Sequence, residues 1–162
     1  KEISFEKNTC LIKIGDFAFN CCSLPSQIKM PDSFIAIGSF FPQNCTSLEK
    51  IELEGHSKLT IISKYIAEGC NLLKSINILL SITSIGNNSF SRCSSLNNIT
   101  IPSFMTSISE KAFSQCTELE EVLIDPSSSS LISICREAFS NCKFSHFVFP
   151  SSLTSIGNFR LL

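Results

Sequence analysis

The chain has no surplus of positive charge: 13 Lys and Arg stand against 14 Asp and Glu. That excludes the basic footprint of a nucleic-acid or anionic-membrane binder. It has no apolar run near the roughly 18 residues of a membrane span. The longest candidate, Phe34 to Phe41, is broken by Gly38 and Ser39. No apolar leader follows Lys1 and Glu2, so no secretion signal is visible, which leaves the compartment open. No C-x-x-C pair occurs among the nine cysteines, which argues against a zinc site. Histidine is scarce: only His56, in a Gly-containing loop, and His146, just before a predicted strand. Neither neighbours a nucleophile and a carboxylate, as a Cys–His mechanism requires. No phosphate-cradling glycine loop is present. The reading is therefore of a non-enzyme with no metal, no cofactor and no catalytic residues. Charged residues make up only 17% and apolar ones 43%, the balance of a chain that buries much of itself.

What the chain does have is a period. Taking one isoleucine per unit as position zero gives Ile14, Ile37, Ile62, Ile85, Ile108, Ile134 and Ile156, with spacings of 23, 25, 23, 23, 26 and 22. Three residues earlier stands another apolar anchor: Leu11, Phe34, Leu59, Ile82, Met105, Leu131 and Leu153. Five residues later come Phe19, Phe90, Phe113 and Phe139; in the second and third units Pro42 and Ala67 stand there, and Phe41 and Ile66 are placed to fill the same space. Eight residues after position zero all six complete units carry cysteine: Cys22, Cys45, Cys70, Cys93, Cys116 and Cys142. Leu48, Leu73, Leu96 and Leu119 follow at plus eleven, an anchor shifted to Leu24 and Phe144 in the first and last complete units. Each unit then closes on an apolar pair one residue apart: Ile28/Met30, Ile51/Leu53, Ile76/Ile78, Ile99/Ile101, Val122/Ile124 and Phe147/Phe149.

Self-similarity at such a period is the mark of a stacked repeat. The I-x-I pair alternates in twos and predicts a short strand with one buried face. Pro31, Pro102 and Pro150 just after it end the ladder, since proline has no N–H to donate. The segment ending at position zero predicts a second short extended piece. Between Gly86 and Cys93 the apolar spacing of three to four predicts one helical turn, with the glycine as a turn residue. Coils of about 23 residues, stacked at about 4.8 Å per strand, bury faces that no single coil can bury alone. The expected fold is thus a repeat solenoid of short parallel strands over residues 1–162, about seven coils in one domain. The chain starts and stops inside units, which predicts a piece of a longer array.

The frame L-T-S-I-G-x-x-x-F-x-x-C-x-x-L-x-x-I-x-I-P, present in six units from Leu11 to Pro150, resembles the BspA-type leucine-rich repeat. The resemblance implies a cell-surface or extracellular protein, adhesion or binding of a host or extracellular-matrix protein, and no catalysis. An intracellular, cytoplasmic scaffold of the same fold is the alternative.

The six cysteines of the column read as reduced thiols packed in the core, a habit of this residue. Cys10, Cys21 and Cys135 fall outside it. The outward positions of the I-x-I strands are expected to form one continuous sheet face, the usual binding surface of a solenoid. Candidate partner-binding residues there are Lys29, Lys50, Glu52, Asn77, Asn98, Thr100, Glu121, Leu123, His146 and Val148, mixed in charge and more apolar toward the C-terminal end. Three N-x-S/T sequons make Asn44, Asn87 and Asn98 candidate glycosylation sites, Asn87 foremost because its loop should be exposed. The last unit begins at Leu153 and places Leu161 and Leu162 at inward positions with nothing polar after them, which predicts self-association through an uncapped end.

Overall fold

In the computed structural model, residues 1–6, 9–23, 25–55, 57–124, 128–144, 147–158 and 160 are described. Thirteen short strands build a stack of coils. Six belong to the position-zero side: β2 (Lys13–Ile14), β4 (Ala36–Ile37), β6 (Ile61–Ile62), β8 (Ser84–Ile85), β10 (Ser107–Ile108) and β12 (Ser133–Ile134), with β13 (Ser155–Ile156) after them. Five belong to the I-x-I side: β3 (Gln27–Met30), β5 (Lys50–Leu53), β7 (Ser75–Ile76), β9 (Asn98–Ile101) and β11 (Glu121–Ile124), preceded by β1 (Glu2–Ile3). Every pairing is parallel and joins equivalent residues of successive coils, for example Ile28 with Ile51 and Ile108 with Ile134. β3 stops at Met30 and β9 at Ile101, one residue before Pro31 and Pro102, as the missing proline donor requires.

The core runs the length of the stack as columns. Phe34, Leu59, Ile82, Met105 and Leu131 are fully buried, as are Leu48, Leu73, Leu96 and Leu119. Phe90, Phe113 and Phe139 stack ring on ring at 5.3 Å, nearly parallel. In the second unit Phe41 takes that role, packing on Phe19 at 5.4 Å, and in the third Ile66 is buried beside Ala67. The shifted anchor Phe144 is buried against Phe139, while Leu24 lies outside the described residues.

The corner between Gly86 and Cys93 is not helical. Its N–H groups divide between two destinations. Those of Asn88, Phe90 and Arg92 donate to Glu110, Ala112 and Ser114 in the next coil. Those of Ser91 and Cys93 close single turns onto Asn88 and Phe90. Tyr65, Ala67 and Gly69 repeat the pattern one coil earlier and Lys111, Phe113 and Gln115 one coil later. An α-helix would consume those donors internally; the stack uses them between coils. The price in backbone geometry is a left-handed residue at plus three and plus seven of each coil, such as Asn88 (φ 55°) and Arg92 (φ 63°). The glycine after position zero is not at positive φ. A Cβ on Gly86 would come within 2.7 Å of the Lys64 backbone nitrogen of the preceding coil, so close approach is what selects glycine there.

All nine cysteines are free. Five of the column are buried and Cys22 is half-buried. Each buried thiol donates to a carbonyl of the preceding coil: Cys45 to Phe19, Cys70 to Pro42, Cys93 to Ala67, Cys116 to Phe90 and Cys142 to Phe113, at 3.0 to 3.2 Å. Burial pushes the Cys93 and Cys116 thiols well above their ordinary range and Cys142 up to about 12. A hydrogen bond shared with Cys45, and then burial, raise Cys70 as well. These groups are inert as nucleophiles, because the thiolate is the reactive form.

Candidate partner-binding face

The outward residues of the I-x-I side come from alternate positions of β3, β5, β7, β9 and β11, since the inward residues between them are held in the core. Parallel register sets Lys29 beside Glu52, Gln27 beside Lys50, and Lys50 beside Ser75. The Lys50 ammonium lies 3.5 Å from Glu52 and that of Lys29 lies 3.6 Å from Glu54. The Gln27 amide donates to Glu52 at 2.9 Å. At the edge of the face Lys74 donates to Glu49 at 2.7 Å and holds its carboxyl below the usual range. Lys143 bridges Glu120 and Glu118, and these carboxylates raise its pKa. Solvent screens exposed pairs of this kind. They fix the pattern of charge on the face more than its stability.

The face is not continuous. The strands form one four-stranded sheet, β1-β3-β5-β7, and a separate pair, β9 and β11. Asn77 causes the break. Its side-chain amide accepts from the Leu53 N–H at 2.8 Å and donates to the Leu53 carbonyl at 2.7 Å. It thereby occupies the backbone groups that a full-length third strand would pair. β7 ends at Ile76, and a shallow depression of about 420 Å³ opens at the seam, lined by Lys50, Glu52, Asn77, Asn98 and Thr100 among others. Beyond the seam Asn98 pairs in register with Glu121 and Thr100 with Leu123. The final pair, Phe147 and Phe149, forms no strand: Phe147 packs between Phe139 and Phe149, and Phe149 is exposed. The two anchors were expected to point inward together. Four phenylalanines converging on one coil end, Phe139, Phe144, Phe147 and Phe149, fill that space with rings instead of an extended strand.

The structure thus brings Lys29, Lys50 and Glu52 together on one sheet, with Asn77 just past the end of β7, and Asn98, Thr100, Glu121 and Leu123 on the other pair. Leu123 and Val148 are about half exposed, at 47% and 52%, at the apolar end. His146 lies outside the described residues, as does His56. Among the sequons, Asn87 is exposed at the corner. Asn44 sits at φ 55°, with its side-chain oxygen where a Cβ of Gly69 would stand. Asn98 is exposed on β9 and donates to Asn97. Cys10 and Cys21 are exposed and Cys135 half-buried. Among the described residues no group of His, Cys, Asp and Glu is arranged to hold a metal ion.

Sequence reasoning missed the part played by Asn77. Its signal was present: a carboxamide at the middle of an I-x-I pair, where a short side chain with both a donor and an acceptor can imitate a strand edge. It placed the column of buried thiols but missed the ladder of hydrogen bonds they make to the preceding coil, of which the residue pattern gives no sign.

A repeat-family profile described as "BspA type Leucine rich repeat region" matches in six copies, over residues 1–78 and 44–160. Among solved structures the chain resembles a leucine-rich cell surface protein of Faecalibacterium prausnitzii, with a TM-score of 0.75 and 26% identity over 91% of this chain and 39% of that one. It also resembles a leucine-rich repeat protein of T. pallidum, with a TM-score of 0.72 and 23% identity over 96% of this chain and 69% of that one. A leucine-rich repeat protein of Eubacterium ventriosum gives 0.51 at 25% identity, over 88% and 32%. The chain therefore spans well under half the length of the first and third. No curated protein matches it in sequence.

Proposed function

The chain belongs to the BspA-type leucine-rich-repeat family, and from that premise we propose that it is the protein-interaction module of a cell-surface protein. It binds a host or extracellular-matrix protein through the outward face of its I-x-I strands and carries no catalytic activity. Solenoids of stacked repeats present such extended faces to partners. The observation that carries the reading is the register of the face itself. Successive coils set Lys29 beside Glu52 on one side of the seam at Asn77 and Thr100 beside Leu123 on the other, with the alternate residues turned toward the core. The surface location is supported by the printed description of the Faecalibacterium protein as a cell surface protein. Among the described residues no helix is long and apolar enough to cross a membrane. On this reading the chain is one stretch of a longer repeat array. Self-association through the last coil rests in the sequence on Leu161 and Leu162, which lie outside the described residues; within them, exposed Ile156 on β13 supports it.

The test is biolayer interferometry of the chain against a panel of purified extracellular-matrix glycoproteins, with Lys50→Glu and Leu123→Glu as face variants. Binding should weaken about tenfold or more in at least one variant while the fold melts unchanged, as expected when a contact residue carries a large share of affinity. Binding that neither variant alters, or no binding to any member of the panel, would sink the proposal.

A further inference from the structure

The other side of the coils changes character along the stack. On the position-zero side, coils one to three turn Ile12, Ile35 and Ile61 outward, each about half exposed at 53%, 49% and 55%. β2 and β4 form one pair and β6 belongs to the five-stranded sheet of the later coils, and just past these strands the same coils carry Phe17, Phe40 and Tyr65 at plus three. Their rings stack at 4.5 and 4.7 Å, within 4° of parallel. Coils four and five carry Thr83-Ser84 and Thr106-Ser107, then Asn88 and Lys111, at the same places. The backbone there is left-handed, at φ 59°, 61° and 57° for the three aromatic residues. Asn tolerates that conformation, whereas a bulky residue there is an outlier that stores strain. An aromatic ladder kept at three strained positions, next to exposed isoleucines, is not accounted for by the core; coil six repeats only the isoleucine, as Ile132, with Glu137 at plus three.

The charges around it also differ from those of the strand face. There, Lys29, Lys50 and Lys74 each have a carboxylate partner. Here, Lys13 beside Ile12 and Lys64 beside Tyr65 form no ion pair among the described residues. The surface is an apolar strip bordered by these two ammonium groups and, beside Phe17, by Asp16, whose carboxylate already accepts from the Ser39 N–H at 2.7 Å. Its repeat along the stack is that of the rings, 4.5 to 4.7 Å. An α-helix laid along the stack returns a side chain to one face every three to four residues, a rise of about 4.5 to 6 Å. Its apolar stripe therefore keeps step with the coils, as in helix-in-groove recognition.

We propose that this face of coils one to three is a second docking surface, which seats an amphipathic helix of a partner protein whose apolar stripe is bordered by carboxylates. The apolar stripe lies over Ile35, Ile61 and the ring edges of Phe40 and Tyr65. The bordering carboxylates meet Lys13 and Lys64 and account for the sign of the helix's charge.

The probe is a fluorescein-labelled 15-residue helical peptide with leucines at i, i+3, i+4 and i+7 and glutamates beside them, read by anisotropy. A second peptide has lysine in place of each glutamate. The protein variant is Ile35→Thr/Ile61→Ser/Phe40→Asn/Tyr65→Asn, in which each new residue is the one this chain itself carries at that place in coil four. Because Asn suits the left-handed backbone, the variant should melt at or above the parent temperature. The acidic peptide should bind the parent, and both the lysine peptide and the variant should reduce binding about tenfold or more. No binding of the acidic peptide, or equal binding of the lysine peptide or by the variant, overturns the proposal. So does a concentration-dependent dimer in sedimentation that the variant abolishes, since a second copy would then be the occupant. None of these results bears on the strand face, which belongs to the other strand series of the coils.

Discussion

Raising the pH should unfold this protein through its own core. Cys93, Cys116 and Cys142 are buried, and burial moves all three thiols upward, Cys142 from 9.0 to about 12. A group whose folded pKa is raised keeps its full contribution to stability below the unfolded value. It loses that contribution as pH climbs from the unfolded value toward the folded one. The window therefore opens near pH 9 and extends past pH 12. Within it the unfolded chain releases a proton from each of these thiols that the folded chain retains. One proton per pH unit corresponds to about 1.4 kcal/mol, so at pH 10 each thiol lowers stability by about 1.4 kcal/mol and the three together by about 4. Against a domain stability of roughly 5 to 15 kcal/mol this is a large fraction. The measurement is urea unfolding, with a phosphine reductant present, at pH 7, 8, 9, 9.5 and 10. The parent should lose about 3 kcal/mol between pH 9 and pH 10 from these thiols. Cys116→Ala should start less stable at pH 7 but fall less steeply over that unit, by about 1 kcal/mol. The same alkaline slope in the parent and in the triple variant Cys93→Ala/Cys116→Ala/Cys142→Ala would refute the reasoning, because the core thiols would then not be the source of the loss.

Thiol labelling gives an independent check: Cys10 and Cys21 should react with a maleimide at once, while Cys45, Cys70, Cys93 and Cys116 wait for denaturant. Fast native labelling of those four, or a mass showing bridges among them, would contradict the ladder. Phe113, sandwiched between Phe90 and Phe139, should cost about 3 to 5 kcal/mol on truncation to Ala. Exposed Asn97→Ala should cost under about 0.5, and denaturation curves showing equal effects would mean that the columns are misassigned.

The columns were legible because burial acts on equivalent places in every coil. A stacked anchor must be apolar in each unit, so Leu59, Ile82, Met105 and Leu131 repeat while their neighbours vary. Even the irregular second unit could be read, since Phe41 lies one residue from the vacant place and its ring reaches Phe19. The corner was not legible. An apolar spacing of three to four fits a helix and fits a run of turns equally well. What separates them is where the N–H of Phe90 goes, and its acceptor, Ala112, lies in another coil. The candidate face was legible as a row of outward residues, but its continuity was not. That depended on the Asn77 amide reaching Leu53, a contact between coils that the period of the sequence does not encode.

The corner hydrogen bonds also give the stack a direction. Along the whole edge, N–H groups such as those of Ala67, Phe90 and Phe113 point toward the following coil, and the carbonyls that receive them point back. Peptide dipoles aligned in one sense along an axis add, as they do in a helix. Here the axis runs across the chain and the positive end faces the later coils. Two such stacks brought together by their later coils would set N–H against N–H at the corner, and by their earlier coils carbonyl against carbonyl. Only head-to-tail contact continues the row. An assembly joined through the corner is therefore heterologous, and it grows into a filament or a ring rather than closing as a two-fold pair.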